Sequence, residues 1–194
     1  MGLKEWITPK RYVDLAREVM GGIDLDPASS AAAQINVGAA LYYGPRDGSL
    51  DRPWRGRVWL APPTGRGQMA AFTEKLIQSY YEGGTVTEAV ILCPNWTDTG
   101  WFHHMMDMCR MWVFMQGRVK FETPAGGSGT PPNGQVFFYL GARPERFLQV
   151  FGPLGISVEN CPEADIIGAD AWSYPTPRDW WQVYGASPDM KEAA

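Results

Sequence analysis

The chain has 194 residues, 45% hydrophobic and 20% charged, with a formal net charge of -4, a composition that fits one soluble globular domain with enough chain to bury a core. The acidic balance argues against a generic polyanion binder, while leaving room for a local basic groove. Three cysteines (Cys93, Cys109, Cys161) without metal-ligand spacing and only two histidines argue against a disulfide framework or a zinc site, and for a reducing compartment.

Met1-Gly2-Leu3-Lys4-Glu5 opens on mixed charge, without the apolar core of a signal peptide. Thr8-Pro9 is a helix-start signal, with Thr8 expected as N-cap. Tyr12, Val13, Leu15, Ala16, Val19 and Met20 follow as a helical stripe that Gly21-Gly22 ends. Ile23-Asp24-Leu25-Asp26-Pro27 reads as a short strand cut off by its proline, and the stretch from Ser29 to Gly44 is weakly patterned. Gly44-Pro45-Arg46-Asp47-Gly48 is turn chemistry. Val58 to Leu60 reads as a strand, Met69 to Tyr81 as an amphipathic helix, and Ala89 to Cys93 as a strand buried on both faces. A helix capped by Thr97 or Asp98 is expected to run through Cys109, followed by a strand over Met111 to Met115. Gly126 to Gly134 reads as a flexible loop and Val136 to Leu140 as the last clear strand. A short helix and an edge strand at Ile156 to Val158 are expected next. Trp172, Tyr174, Trp180, Trp181 and Tyr184, with Pro175 and Pro177, form an aromatic tail that packs back on the domain or serves an oligomer contact. There is no internal repeat, no dividing linker and no apolar run long enough for a membrane span.

Buried strands alternating with helices argue for an α/β domain around a mostly parallel sheet. Ligands of such sheets bind at the carboxyl ends of the strands. Asp24 and Asp26, Asp47, Ala61-Pro62-Pro63 and Pro94-Asn95-Trp96 all fall at or just beyond predicted strand ends. One crevice is expected to collect them.

An ordered set of segments carries a resemblance. It comprises Trp6-Ile7-Thr8-Pro9, Asp24-Leu25-Asp26-Pro27-Ala28-Ser29, Asp47-Gly48-Ser49-Leu50 and Trp54-Arg55-Gly56-Arg57-Val58-Trp59-Leu60-Ala61-Pro62-Pro63. It continues with Pro94-Asn95-Trp96-Thr97-Asp98-Thr99-Gly100-Trp101-Phe102-His103, Gly117-Arg118-Val119-Lys120-Phe121 and Pro132-Asn133-Gly134. In this order, over residues 5–142, the set resembles the phage-type DNA N-6-adenine methyltransferase (Dam) family. The resemblance implies a single Rossmann-like, S-adenosylmethionine-dependent methyltransferase domain over 1–194, with a mostly parallel sheet, a final antiparallel strand and a C-terminal extension over 143–194. The family commonly reads Asn-Pro-Pro followed by an aromatic at its catalytic loop. Here Ala61 removes the side-chain acceptor for the target amine and Thr64 removes the stacking ring, whether the alanine is natural or introduced.

The resemblance assigns Ala61, Pro62, Pro63 and Thr64 to the catalytic loop. It assigns Trp6, Thr8, Pro9, Asp24, Asp26, Pro27, Ala28 and Asp47 to the cofactor site. Each has a plainer reading: Asp26-Pro27 and Asp47 as turn carboxylates, Thr8 as a helix cap, Trp6 as core packing. For nucleic acid the candidates are Arg57, Arg66, Arg118 and Lys120 on phosphates, with Trp96 and Asp98 near a flipped base. The alternatives are a solvated face for the cations and packing for Trp96. No metal is expected. The function implied is methyl transfer to adenine N6 in DNA, weakened or abolished by Ala61, of the kind used in DNA modification and restriction evasion. The alternative is a non-catalytic cofactor- or DNA-binding protein on the same scaffold. Expected partners are S-adenosylmethionine and DNA, with no membrane, in a bacterial cytoplasm if the source is a phage or prophage.

Overall fold

The structure, a computed structural model, describes residues 6–160; the aromatic tail and Cys161 lie outside the described residues. In chain order the elements are α1 (Lys10–Met20), β1 (Leu25–Asp26), α2 (Gln34–Val37), β2 (Leu41–Tyr42), β3 (Gly56–Leu60), α3 (Gln68–Ile77), β4 (Val86–Pro94), α4 (Gly100–Met108), β5 (Met111–Met115), β6 (Phe121–Glu122), β7 (Ser128–Gly129), β8 (Gln135–Leu140), α5 (Pro144–Phe151) and β9 (Gly155–Glu159). α3 runs on into a π-helical turn, Gln78–Glu82.

Seven strands form one sheet in the order β2-β1-β3-β4-β8-β5-β9. β2, β1, β3 and β4 pair in parallel. β8 pairs antiparallel with β4 and with β5, and β9 antiparallel with β5. The strand expected to be final and antiparallel is therefore an interior strand, slotted between β4 and β5, and β9 shares its direction. β8 is buried along its whole length, as an interior strand with helices on both faces requires. The expected loop over 126–134 contains β7, which pairs with β6 as a short hairpin.

Alternation along the strands sends side chains to two cores. Val58, Leu60, Ala89, Ile91, Phe138 and Trp112 face α3 and α4. Trp59, Val90, Leu92, Phe137, Tyr139 and Val113 face α1, α2 and α5. The helix α1 is amphipathic for that reason: Tyr12, Val13, Ala16, Val19 and Met20 are its buried residues. Its start differs from expectation. Thr8 makes no cap; Pro9 holds the N-cap position with extended ψ of 136°, and the first turn closes from the Tyr12 N–H to the Pro9 carbonyl at 3.1 Å. Likewise α4 begins after Thr99, whose hydroxyl donates back to the Trp96 carbonyl at 2.7 Å instead of capping the helix.

The amino end of the sheet carries paired charges. Arg57 donates from Nε to Asp24 Oδ2 at 2.8 Å and from Nη2 to Oδ1 at 2.7 Å. Gly56 lets this pair close: its φ is +72°, and a Cβ there would stand 2.6 Å from Asp24 Oδ2. Glu88, 6% exposed, accepts from the Tyr139 hydroxyl and from Arg143 Nη2 at 2.5 Å.

These two pairs should differ in energy. Glu88→Ala removes a buried partner and is expected to lower the unfolding free energy by about 2–3 kcal/mol, below the range for fully buried pairs because Arg143 reaches water. Asp24→Ala breaks a pair more than a third exposed and should lose about 1 kcal/mol or less. Urea unfolding of both variants checks this; equal losses would contradict the burial argument.

Candidate active site

The parallel strands β1, β2, β3 and β4 all end at one edge of the sheet. β1 reaches β2 by way of α2 on one face, whereas β3 reaches β4 by way of α3 on the other. Strand order therefore reverses between β1 and β3, and the crevice outside their carboxyl ends is where open α/β sheets take ligands. The loop Asp26-Pro27-Ala28-Ser29 stands on one side of it and Ala61-Pro62-Pro63-Thr64 on the other.

The N-terminal segment reaches the same edge. Arg57, at the amino edge, lies against Gly22 just past the end of α1. The start of this 11-residue helix thus lies about 15 Å away toward the carboxyl edge. Ile7 exchanges two backbone hydrogen bonds with Glu122 of β6, both 2.9 Å, and the Trp6 ring lies 6.0 Å from Phe121. Thr8 is buried, and its carbonyl accepts from Asn36 Nδ2 at 3.0 Å.

Asp26 is the most constrained group of the edge. Only 2% exposed, its carboxylate accepts from the Ala28 N–H at 3.3 Å and from Gln34 Nε2 at 3.0 Å, with the Ser29 hydroxyl as a further partner. Burial disfavours the charge and pushes its pKa up to about 6; the three hydrogen bonds pull the other way. The loops after β1 and β2 are stitched together beside it: the Ser29 N–H donates to the Tyr43 carbonyl at 2.9 Å and the Ser49 hydroxyl to the Pro27 carbonyl at 2.6 Å. Asp47 is exposed on that second loop, where its carboxylate accepts from the Gly44 N–H at 2.7 Å and so closes its own turn.

The loop after β3 leaves the ladder because Pro62 and Pro63 have no N–H to give it. Ala61 packs against the core shared with α1, Pro62 is buried and Thr64 is exposed. Beyond β4, Trp96 is half-buried and meets Trp101 edge-on at 6.2 Å, while Asp98 is exposed. The Asn95 N–H donates to the Gly134 carbonyl at 3.1 Å, which joins this loop to the start of β8. Arg66, Arg118 and Lys120 are exposed on loops of the same edge, with Arg118 Nη1 donating to the Pro131 carbonyl at 3.0 Å.

Two expected members are placed elsewhere. Arg57 is the second residue of β3, four residues before Ala61 and about 13 Å toward the amino edge, and is engaged by Asp24. Asp24 sits about 7 Å toward that edge from Asp26, and the Arg57 guanidinium holds its carboxyl below the ordinary range. Conversely, Gln34 and Asn36 help hold the edge together although no motif marks them; the only signal is a pair of amides in an otherwise weakly patterned stretch. Ser29 and Ser49 lie within the segments that carry the resemblance, which assigns no role to either. Among the described residues, no group of three or more His, Cys, Asp or Glu could hold a metal ion, and no helix is long and apolar enough to cross a membrane.

The family model for DNA N-6-adenine-methyltransferase (Dam) matches residues 3–139, most of the chain. No curated protein matches it.

The burial of Asp26 has a measurable consequence. A carboxyl raised from 3.8 to about 6 in the folded state binds its proton more tightly there than in the unfolded chain. Stability contributed by this group is complete below pH 4, declines as pH rises to about 6, and is level above; the shift corresponds to about 3 kcal/mol. Asp26→Asn cannot titrate. Stability of the wild type relative to Asp26→Asn should therefore fall by up to that amount between pH 4 and pH 7 in urea unfolding. A difference that does not change with pH would contradict the assignment.

Proposed function

The chain belongs to the DNA N-6-adenine-methyltransferase family, and from that premise we propose that the crevice between β1 and β3 binds S-adenosylmethionine and presents it to an adenine of DNA. The observation that carries this reading is the reversal of strand order between those two strands, which puts a buried carboxylate on one side of the crevice and the Pro62-Pro63 turn on the other. The residues present suit the donor molecule. Asp26 is an acceptor aligned by neutral partners only, and two carboxylate oxygens offer about four lone-pair sites, so one remains for a ribose hydroxyl beyond the three bonds already made. Pro27, Ala28, Thr8, Pro9 and Trp6 would line the same side, with Asp47 at its rim.

Bound there, S-adenosylmethionine supplies an electrophilic methyl group. The chain's own part is to hold the adenine amine in line with it. Carbonyls of the Pro62-Pro63 turn would accept from the amine, and Trp96 would serve as the aromatic wall that Thr64 does not provide. Positioning of this kind, without a general base, is a sufficient source of catalysis. Arg66, Arg118 and Lys120 would meet phosphates along the rim, with Asp98 near the base. Arg57 has no part in this reading, because it is committed to Asp24 at the other end of β3. A DNA substrate would be met in the cytoplasm, that of a bacterial host if the chain is phage or prophage encoded.

Ala61 favours a second reading, binding without turnover, because a methyl group offers the amine no acceptor. Loss of one preorganised hydrogen-bonding group of this sort lowers the rate by about two to three orders of magnitude. Ala61→Asn is therefore expected to raise methyl transfer from labelled S-adenosylmethionine to unmethylated DNA by about a hundredfold or more, with little change in cofactor affinity. Fast transfer by the unaltered chain would overturn the role given to position 61. A variant that binds cofactor and DNA tightly yet transfers nothing would establish the binding protein instead.

A further inference from the structure

Gln34 opens α2, eight residues beyond Asp26, and all of its hydrogen-bonding groups are engaged. Its Nε2 donates to Asp26 Oδ2 at 3.0 Å and to the Ser29 hydroxyl oxygen at 2.7 Å, while its Oε1 accepts from the Ala39 N–H at 2.9 Å. A primary amide has two N–H donors, and here both go to the loop after β1. Two residues on, Asn36 Nδ2 donates to the Thr8 carbonyl and to Glu122 Oε2, both at 3.0 Å. One short helical turn thus ties the Asp26 loop, the N-terminal segment and the β6–β7 hairpin to one another.

We propose that Gln34 is a positioning residue for the cofactor site: its amide fixes the Asp26 carboxylate and the Ser29 hydroxyl in the orientation in which Asp26 accepts a hydroxyl of a bound nucleoside. This rests on the reading that S-adenosylmethionine occupies the crevice. The geometry separates aiming from packing. A packing residue at position 34 would need only volume, whereas this side chain directs each polar group at a different partner across a loop of eight residues. The choice of an amide also matters. A lysine or arginine there would hold the carboxylate just as firmly, but would bring a full charge into a site whose ligand carries a sulfonium. The amide orients Asp26 and leaves its charge for the ligand to meet.

The groups that face Asp26 are the Ala28 N–H and the Ser29 hydroxyl from its own loop, and the Gln34 amide from α2; no charged side chain is among the causes of its shift. Gln34 is thus one of three hydrogen bonds that oppose the rise caused by burial. Removing it should let the carboxyl rise further, and cofactor binding that needs the ionised form should then fail at a higher pH. A purely structural role would lower stability without moving that midpoint.

The test uses the full chain and two variants. Gln34→Leu removes the amide, and Gln34→Met keeps the length of the side chain while losing both donors and adding no charge beside Asp26. Calorimetric titration with S-adenosylmethionine from pH 5.5 to 8.5 is expected to show binding at least tenfold weaker for each variant at pH 7. The pH at which affinity is half lost should move up by about one unit. Circular dichroism reports whether each variant folds. Unchanged affinity with an unmoved midpoint in a folded variant would overturn the inference, as would failure of both variants to fold, which would make Gln34 a folding residue. A wild type that does not bind would overturn the reading of the crevice instead. Carbon-13 titration of the Asp26 carboxyl, which needs no ligand, then decides Gln34 separately: an upward shift in the variants sustains the inference and no shift refutes it.

Discussion

The arrangement of this molecule depends on the parallel pairing of β1 with β3, through Leu25 opposite Val58. Both chains leave the sheet within three residues of that pair, so the Asp26 loop and the Ala61 loop emerge side by side, with neighbouring strands about 4.8 Å apart. A slip of one residue in β1 would exchange its two faces. Leu25 would leave the core shared with α3 and α4, and the Asp26 carboxylate would enter it, among Val58, Leu60 and Trp54. The hydrophobic preference of one leucine thus sets the aim of the carboxylate beside it. The crossovers add the second condition. Because α2 and α3 lie on opposite faces, neither helix covers the crevice between the strands they follow.

The two ends of the sheet answer their carboxylates differently, Asp24 being part-exposed and Glu88 and Asp26 buried. At the amino end, Asp24 and Glu88 are answered by arginines that reach solvent. At the carboxyl end, Asp26 is answered by an amide N–H, a hydroxyl and a glutamine. Neutral donors compensate burial less than a guanidinium does, and the raised pKa of Asp26 reflects the deficit. On the proposed reading, a cationic ligand would gain by this arrangement, because it would meet an acceptor with no resident cation to displace. The same arrangement makes the contribution of Asp26 to stability smaller above pH 6 than below pH 4.

Much of this was legible in the residues. β4 and β5 emerge from continuous apolar runs, and β3 from the run that the two prolines end. The loop Asp26-Pro27 lies where a strand-terminating proline puts it. The features that escaped are those decided by distant partners. Nothing local in Val136 to Leu140 reveals that this strand inserts between β4 and β5, since its apolar run suits any interior position. The pairing of Arg57 with Asp24 spans 33 residues, and nothing near Asp24 in the sequence reveals that an arginine takes it. Thr8-Pro9 has the common order of a cap and a first helical residue; in the structure Thr8 is buried, and its carbonyl is held by an asparagine 28 positions later. Gln34 and Asn36 sit in a four-residue helix, too short for periodicity to announce, and their value lies wholly in which backbone and side-chain groups they find.

The central claim is that the crevice between β1 and β3 is the cofactor site. Amide NMR of the isotopically labelled full chain, titrated with S-adenosylmethionine at pH 7.5, tests it most directly. The expected result is perturbation concentrated at residues 7–9, 26–29, 43–49 and 61–64, with Arg57 and Glu88 unmoved. Perturbation centred on the amino edge around Asp24, Arg57 and Glu88, or none at millimolar ligand with a folded spectrum, would contradict the account.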